Sequence, residues 1–445
     1  MKKYCIDKSV SFYKKTKKIL PGGVHSNFGI PKTEPPIYFK KAEGSWIWDI
    51  DGNRYLDLYG KSGALLSGHV RSLSRLMEEY AKQGNLIGVD HTELDYKAIC
   101  WLKKFIPSCE SARFCLSGNE AVQNAFRLAR AYTGKNKIIR FYGHFHGTAD
   151  NLTGGVYRSK INPVPVDDEE QILYTKGRAR GVLENEILIL PWNDKKILID
   201  IVEKYKDEVA AIISEPVCIN YGSIMPADGY MDLIEQISHQ NNILFILDEA
   251  ITGVRLGLGG AQARYNIHPD LSIFSKCIGG GYVPISAIVG KKEILNLYSE
   301  CNVVHGGTFN GYQLGLGAIC HTYQQLSNTQ MYHQLEIYST QLHTAIKQTA
   351  KENGIELYIQ GPAACASFHC SDRELVTIEE VSSTIMGKNE IVRKCLKEHG
   401  IFIDSFSRIY TNFCIGTEEI DFVYENAPNA FREAARIIEI KYGRN

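Results

Sequence analysis

The sequence predicts an α/β protein. A large domain with a mostly parallel sheet, residues 70–320, is joined to a smaller α+β domain made from both chain ends, residues 1–69 and 321–445. Three observations predict it. Between about residues 70 and 320, short β-branched runs alternate with amphipathic segments, and continuous apolar strands belong to parallel sheets covered on both faces. Segment 37–58 instead alternates apolar and polar residues around a turn signal. After about residue 320 helical stretches dominate, followed by shorter strands such as GIFID.

In chain order, the start MKKYCIDKSVSFYKKTKKILPGG mixes charge with apolar residues. It lacks the apolar core of roughly 7–15 residues that a signal peptide needs and predicts a short amphipathic helix. IYFKKAEGSWIWDIDGNRYLDL reads as two strands joined at DIDGN. ARFCLSG, KIIRFYG, AAIISEPV, NILFILDEA, LSIFSK and PISAIVG read as buried strands. NEAVQNAFRLARAYTG and DGYMDLIEQISHQNN read as helices between them. Residues 152–186 are polar, irregular and too long for an idle connection, which predicts a mobile lid or active-site flap.

Composition narrows the function. Among 445 residues, Lys plus Arg and Asp plus Glu both total 50, so the formal net charge is zero. Without a long basic or acidic block, neither nucleic acid nor a charged membrane surface is an expected partner. No run approaches the ~18 apolar residues of a membrane span. The 12 cysteines are scattered without a CxxC pair, as in a cytoplasmic protein whose thiols stay reduced.

Ligands of open parallel sheets bind beyond the carboxyl ends of the strands, so the polar residues there are the first candidates. Ser117, Gly118 and Asn119 lie in a strand-to-helix turn, where free N–H groups and the helix dipole suit a phosphate. An ordinary N-cap reads equally well from the same residues. Asp248 and Glu249 end a strongly apolar strand, where a carboxylate is costly unless it meets a cation. His144 and His146 flank Phe145, but no further ligand is spaced to complete a metal site, so a structural or stacking role is expected. Lys276 follows LSIFS and precedes Gly279, Gly280 and Gly281. Desolvation lowers a lysine's pKa and makes its amine a nucleophile, while glycines let a backbone approach a bulky ligand.

A phosphate turn, an acid at a strand end and a later lysine together resemble the class III pyridoxal-phosphate aminotransferases. PGGVHS, LDEAITGVRLGLGGAQARYNIHPDLSIFSKCIGGG and HGGTFNG are most similar to the glutamate-1-semialdehyde 2,1-aminomutase branch. The resemblance implies a fold-type I transferase with pyridoxal 5'-phosphate held by Lys276 as a Schiff base. Lys276 would also shuttle the substrate proton, and Asp248 would pair with the ring nitrogen. Phe145 would stack on the ring, Ser117, Gly118 and Asn119 would hold the phosphate, and Asn220 would reach the ring hydroxyl. Thr308 would serve the phosphate of a neighbouring subunit, implying a homodimer with shared sites.

Departures from the branch concern the substrate. Gly29 stands where the aminomutases have an arginine, and Ser62 where they have a tryptophan. Their C-terminal glutamate has no counterpart in IDSFSRIYTNF, where Arg408 is a candidate for a substrate carboxylate. An aminotransferase with an amino-acid donor and a carbonyl acceptor is therefore expected, with the aminomutase as the alternative. A nicotinamide enzyme fits poorly because no GxGxxG follows an early strand. An inert scaffold relative fits poorly because Lys276 and Asp248 are both present.

Overall fold

The computed structural model describes residues 3–26, 35–82, 91–153, 179, 186–385 and 387–443. Its centre is a seven-stranded sheet of β4 (Ser111–Cys115), β5 (Lys137–Phe141), β6 (Ile187–Leu190), β7 (Val209–Ser214), β8 (Leu244–Glu249), β9 (Leu271–Phe274) and β10 (Ser286–Gly290). The spatial order is β4-β10-β9-β8-β7-β5-β6. Only β10 runs antiparallel to its neighbours; the other six strands share one direction. Their carboxyl ends therefore lie along one edge. Each of the six apolar runs read as strands forms one. β6 was not expected: ILIL is short and directly follows the polar stretch.

The strands are apolar throughout because helices cover the sheet. Helix Gly118–Thr133 buries Val122, Ala125, Phe126 and Ala129, the positions its periodicity predicts. Each large side chain buried this way stabilises the fold by about 1.5–3 kcal/mol.

A second sheet joins distant parts of the chain. β1 (Phe39–Glu43), β2 (Trp46–Asp49) and β3 (Arg54–Asp57) form an antiparallel meander, and β13 (Ile401–Phe402) adds in parallel beside β3. The expected single hairpin thus has one more strand. Gly44, at φ +60°, turns the chain between β1 and β2 where no Asn-Gly or Asp-Gly pair marks a turn. GIFID contributes only a two-residue strand. Helix Asp7–Thr16 forms as expected, with Asp51 accepting from the N–H groups of Lys8 and Ser9 at its start. β11 (Tyr358–Gln360), β12 (Cys365–His369) and β14 (Arg408–Tyr410) make a third, antiparallel sheet.

Apart from residues 152, 153, 179 and 186, the expected flap lies outside the described residues. Among the described residues, no helix is long and apolar enough to cross a membrane. All twelve cysteines are free.

Candidate active site

The common carboxyl edge gathers most of the polar residues singled out above. β8 ends in Asp248 and Glu249, and side-chain alternation sends them to opposite faces. Asp248 is buried, with Oδ2 2.7 Å from His146 Nδ1 and Oδ1 accepting from Ala250 N–H at 3.0 Å. A carboxylate only accepts, so the His146 Nδ1–H donates to it. His146 Nε2 is buried and meets no partner among the described residues.

Glu249 has a different occupation. It accepts from the N–H groups of Ala261 and Gln262 at 2.9 and 2.8 Å and from the Thr252 hydroxyl. It braces the start of helix Gly260–Tyr265.

Glu215, just past β7, organises the next part of the site. It accepts from Phe145 N–H at 2.7 Å, Ile219 N–H at 3.1 Å and Asn220 Nδ2 at 2.8 Å. Burial pushes its carboxyl up, with the His146 ring pulling the other way. One buried acid therefore fixes both Phe145 and Asn220. His144 accepts from Glu215 N–H through Nδ1 at 3.0 Å and packs on Trp192, 4.5 Å between ring centres. Burial holds it well below the usual histidine range. The described residues contain no cluster suited to a metal.

At the β4 edge, Ser117 caps its helix. Its hydroxyl accepts from Glu120 N–H at 3.3 Å, and the Glu120 carboxylate accepts from the N–H groups of Leu116 and Ser117 at 2.9 and 3.0 Å. Gly118 and Asn119 follow in the first turn, where N–H groups have no intrahelical acceptor. Asn119 Oδ1 accepts from Thr148 N–H at 2.9 Å, tying this turn to the segment of Phe145. A Cβ on Gly118 would lie 3.4 Å from Ser275 Oγ, so the turn also abuts the residue before Lys276.

Lys276 is partly buried, with a left-handed backbone at φ +45°. Burial pushes its ammonium down to about 8, against the pull of Asp248 and Glu215 and with the repulsion of Arg408. An amine in that range is largely unprotonated a pH unit higher and is a nucleophile. The glycines behind it serve the protein itself. A Cβ on Gly281 would come within 2.6 Å of Ala64 O, and one on Gly279 within 3.0 Å of Ile285 Cγ2. Close packing within the protein thus constrains Gly279 and Gly281.

Arg408 closes the site from β14. It is buried, donates through Nε to Asp404 Oδ2 at 2.6 Å and through Nη1 to Asn220 Oδ1 at 2.8 Å, and its Nη2 also meets Asp404. Thr308 lies apart, on an exposed loop with Val304 and Phe309, which are 81% and 45% exposed. Ser62 is partly buried in the turn before Ala64, whereas Gly29 lies outside the described residues.

A polar edge with a lysine of lowered pKa near a buried carboxylate, beside a helix start, is set in a sequence that matches a known family. The class III aminotransferase model matches residues 29–431. This chain belongs to the class III aminotransferases. It is 34% identical to the glutamate-1-semialdehyde 2,1-aminomutase of Wigglesworthia glossinidia brevipalpis, over 90% of this chain and 91% of that one. It is 37% identical to the enzyme of the same name from Methanobrevibacter smithii, over 81% of each. An omega-transaminase from Sphaerobacter thermophilus superposes with a TM-score of 0.87 at 25% identity, over 96% of this chain and 97% of that one.

The fold is that of the fold-type I transaminases, and the family's cofactor is pyridoxal 5'-phosphate. The residues fit such a group: an amine, a buried carboxylate with a histidine behind it, and a helix start. Two contacts were not legible in the motifs, the bond of His146 to Asp248 and the bracing of Phe145 and Asn220 by Glu215. A buried acid after AAIIS was the only sequence signal for Glu215, and His146 was visible only as half of an HxH pair.

Proposed function

We propose that this chain is a pyridoxal-phosphate-dependent aminotransferase that moves an amino group from an amino-acid donor to a carbonyl acceptor. The observation that carries the reading is Lys276, an amine held near pKa 8 at the end of β9, one strand away from Asp248. When bound, the cofactor supplies an electron-withdrawing ring that takes up the charge left on the substrate carbon.

The chain's residues then divide the work. Lys276 would hold the cofactor through its amine and would serve as the acid–base group for the substrate proton. Asp248 would pair with the ring nitrogen and favour its protonated form, while His146 fixes the carboxylate in place. Phe145, set by Glu215, would stack on the ring. Ser117, Gly118 and Asn119 receive the phosphate at the helix start. Asn220 gives one amide hydrogen to Glu215 and keeps its second for the ring oxygen. In this reading residues 70–320 form the cofactor domain and the two chain ends the smaller one.

Arg408 holds the donor carboxylate, exchanging part of its pairing with Asp404 and Asn220. The acceptor is a carbonyl compound without the semialdehyde's carboxylate arrangement, such as a sugar or a specialised metabolite. Gly29 and Ser62 support this, since neither can reproduce an arginine anchor or an aromatic wall.

The names of the curated relatives favour a second reading, glutamate-1-semialdehyde 2,1-aminomutase. Incubation with glutamate-1-semialdehyde alone separates the two. Amino transfer that requires an added donor such as glutamate supports the aminotransferase. Efficient formation of 5-aminolevulinate without a donor establishes the aminomutase instead.

We also propose a homodimer in which Thr308 reaches the partner's phosphate, supported by the exposure of its loop and of Val304 and Phe309. Lys276→Ala and Thr308→Ala subunits, dissociated and mixed, should recover about a quarter of wild-type activity, because half of each mixed dimer's sites are whole. A fully active monomer in sedimentation contradicts this arrangement.

A further inference from the structure

Beside the Lys276 segment the chain makes one left-handed helical turn. Gly60, Lys61, Ser62 and Gly63 have φ of +49°, +52°, +59° and +78°. Lys61 and Ser62 are not glycines, and successive residues of this kind persist only where their surroundings over-determine them. Asp57 secures the entry, Oδ1 accepting from the N–H groups of Tyr59 and Gly60 at 3.0 Å each.

The exit is secured by Arg255, which is fully buried. Nε and Nη2 donate to Gly63 O at 3.3 and 2.9 Å, and Nη2 also to Leu65 O at 3.0 Å. Nη1 donates to Ala364 O at 3.0 Å and Thr411 O at 2.7 Å. These bonds match the five N–H donors of a guanidinium, and every acceptor is a backbone carbonyl. The preceding Val254 is itself left-handed, at φ +65°, a marked outlier for a β-branched residue. The backbone is thus bent out of its usual range to aim Arg255 inward.

The turn held in this way lies between the two segments that carry Lys276 and Arg408. Cys277 Sγ donates to Gly63 O at 3.1 Å. A Cβ on Gly63 would come within 2.7 Å of the Tyr410 ring, and Tyr410 N–H donates to Leu58 O at 2.8 Å.

We propose that Arg255 is a positioning residue: it fastens the 60–65 turn between the Lys276 loop and β14, and so sets the wall against which the substrate is held. The functional half of this proposal rests on the aminotransferase reading above; the fastening itself does not. Arg255 acts through the turn and through the Thr411 carbonyl that follows β14. Asp248, Glu215 and the helix start lie on other elements; of the cofactor residues only Lys276 adjoins the turn, through the neighbouring Cys277, so the larger effect falls on substrate.

Arg255→Lys tests this, since it keeps the charge and loses the planar fork. Hydrogen exchange on the cofactor-free protein should show amides of residues 60–66 exchanging at least about 10-fold faster, with those of 244–249 unchanged. In the loaded enzyme, donor KM should rise about 10-fold with a smaller change in kcat, while the cofactor is retained. Should Arg255→Lys not fold, Lys61→Val provides the same test. It penalises the left-handed turn at an exposed position with Arg255 intact, and it should give the same exchange and KM pattern. Unchanged exchange at 60–66, or acceleration spread evenly over the chain, overturns the fastening. Local acceleration with unchanged donor KM overturns its role toward substrate. If the wild type transfers no amino group at all, the aminotransferase reading and the role toward substrate fall together, and the exchange result still decides the fastening.

Discussion

Lys276→Ala is expected to lower turnover by on the order of 10³-fold or more, the largest loss of any single substitution in the site. One side chain is asked both to hold the cofactor and to carry the proton, and the two roles disappear together. The wild-type amine also predicts a pH dependence. Only the neutral amine attacks an aldehyde, and burial brings its pKa from 10.5 down to about 8. The rate at which cofactor-free protein takes up pyridoxal phosphate should therefore rise with pH up to about 8 and level off above it. Stopped-flow absorbance measures this directly. A rate still climbing steeply toward pH 10 would mean a lysine with an ordinary pKa, and near wild-type turnover in Lys276→Ala would remove the residue from the chemistry.

Asp248→Asn is expected to leave the cofactor bound and to slow proton removal by several orders of magnitude. The change keeps the shape of the side chain and discards the charge that favours a protonated ring nitrogen. His146 faces Oδ2 at 2.7 Å, and its ring can turn over or change tautomer to suit an amide, so the fold should tolerate the substitution. Single-turnover kinetics with an amino-acid donor reads the step in isolation. Normal transfer by Asp248→Asn would leave Asp248 a structural acid. Glu249 could not take its place, because its carboxylate is committed to Ala261, Gln262 and Thr252.

That contrast between neighbours shows what the sequence made legible. Continuous apolar runs placed six strands of the central sheet, and polar residues at their ends located Lys276 and Asp248 on its carboxyl edge. DEA alone could not say which acid faces the site; the alternation of β8 and the position of helix Gly260–Tyr265 decide that. The triple glycine after Lys276 reads as room for a ligand, yet the neighbour that would meet a side chain on Gly281 is Ala64.

What stayed hidden depends on partners far apart in the chain. Arg255 bonds to carbonyls of residues 63, 65, 364 and 411, and no local pattern announces such a set. Arg408 could be read as a free cation for a carboxylate, whereas in the fold it is already paired with Asp404 and Asn220. In sequence the meander looks like a hairpin for a local reason: AEGSW turns on a single glycine at positive φ, without the dipeptide that usually marks a tight turn.

The central claim is that Lys276 carries the cofactor. Its most direct test is borohydride reduction of the cofactor-loaded protein, followed by mass mapping of its peptides. The account predicts that a visible band near about 400–430 nm bleaches, as expected for a conjugated Schiff base. The added mass of the reduced cofactor should then appear on the peptide containing Lys276. Label on a different lysine, or a band that survives reduction with no labelled peptide, would contradict it.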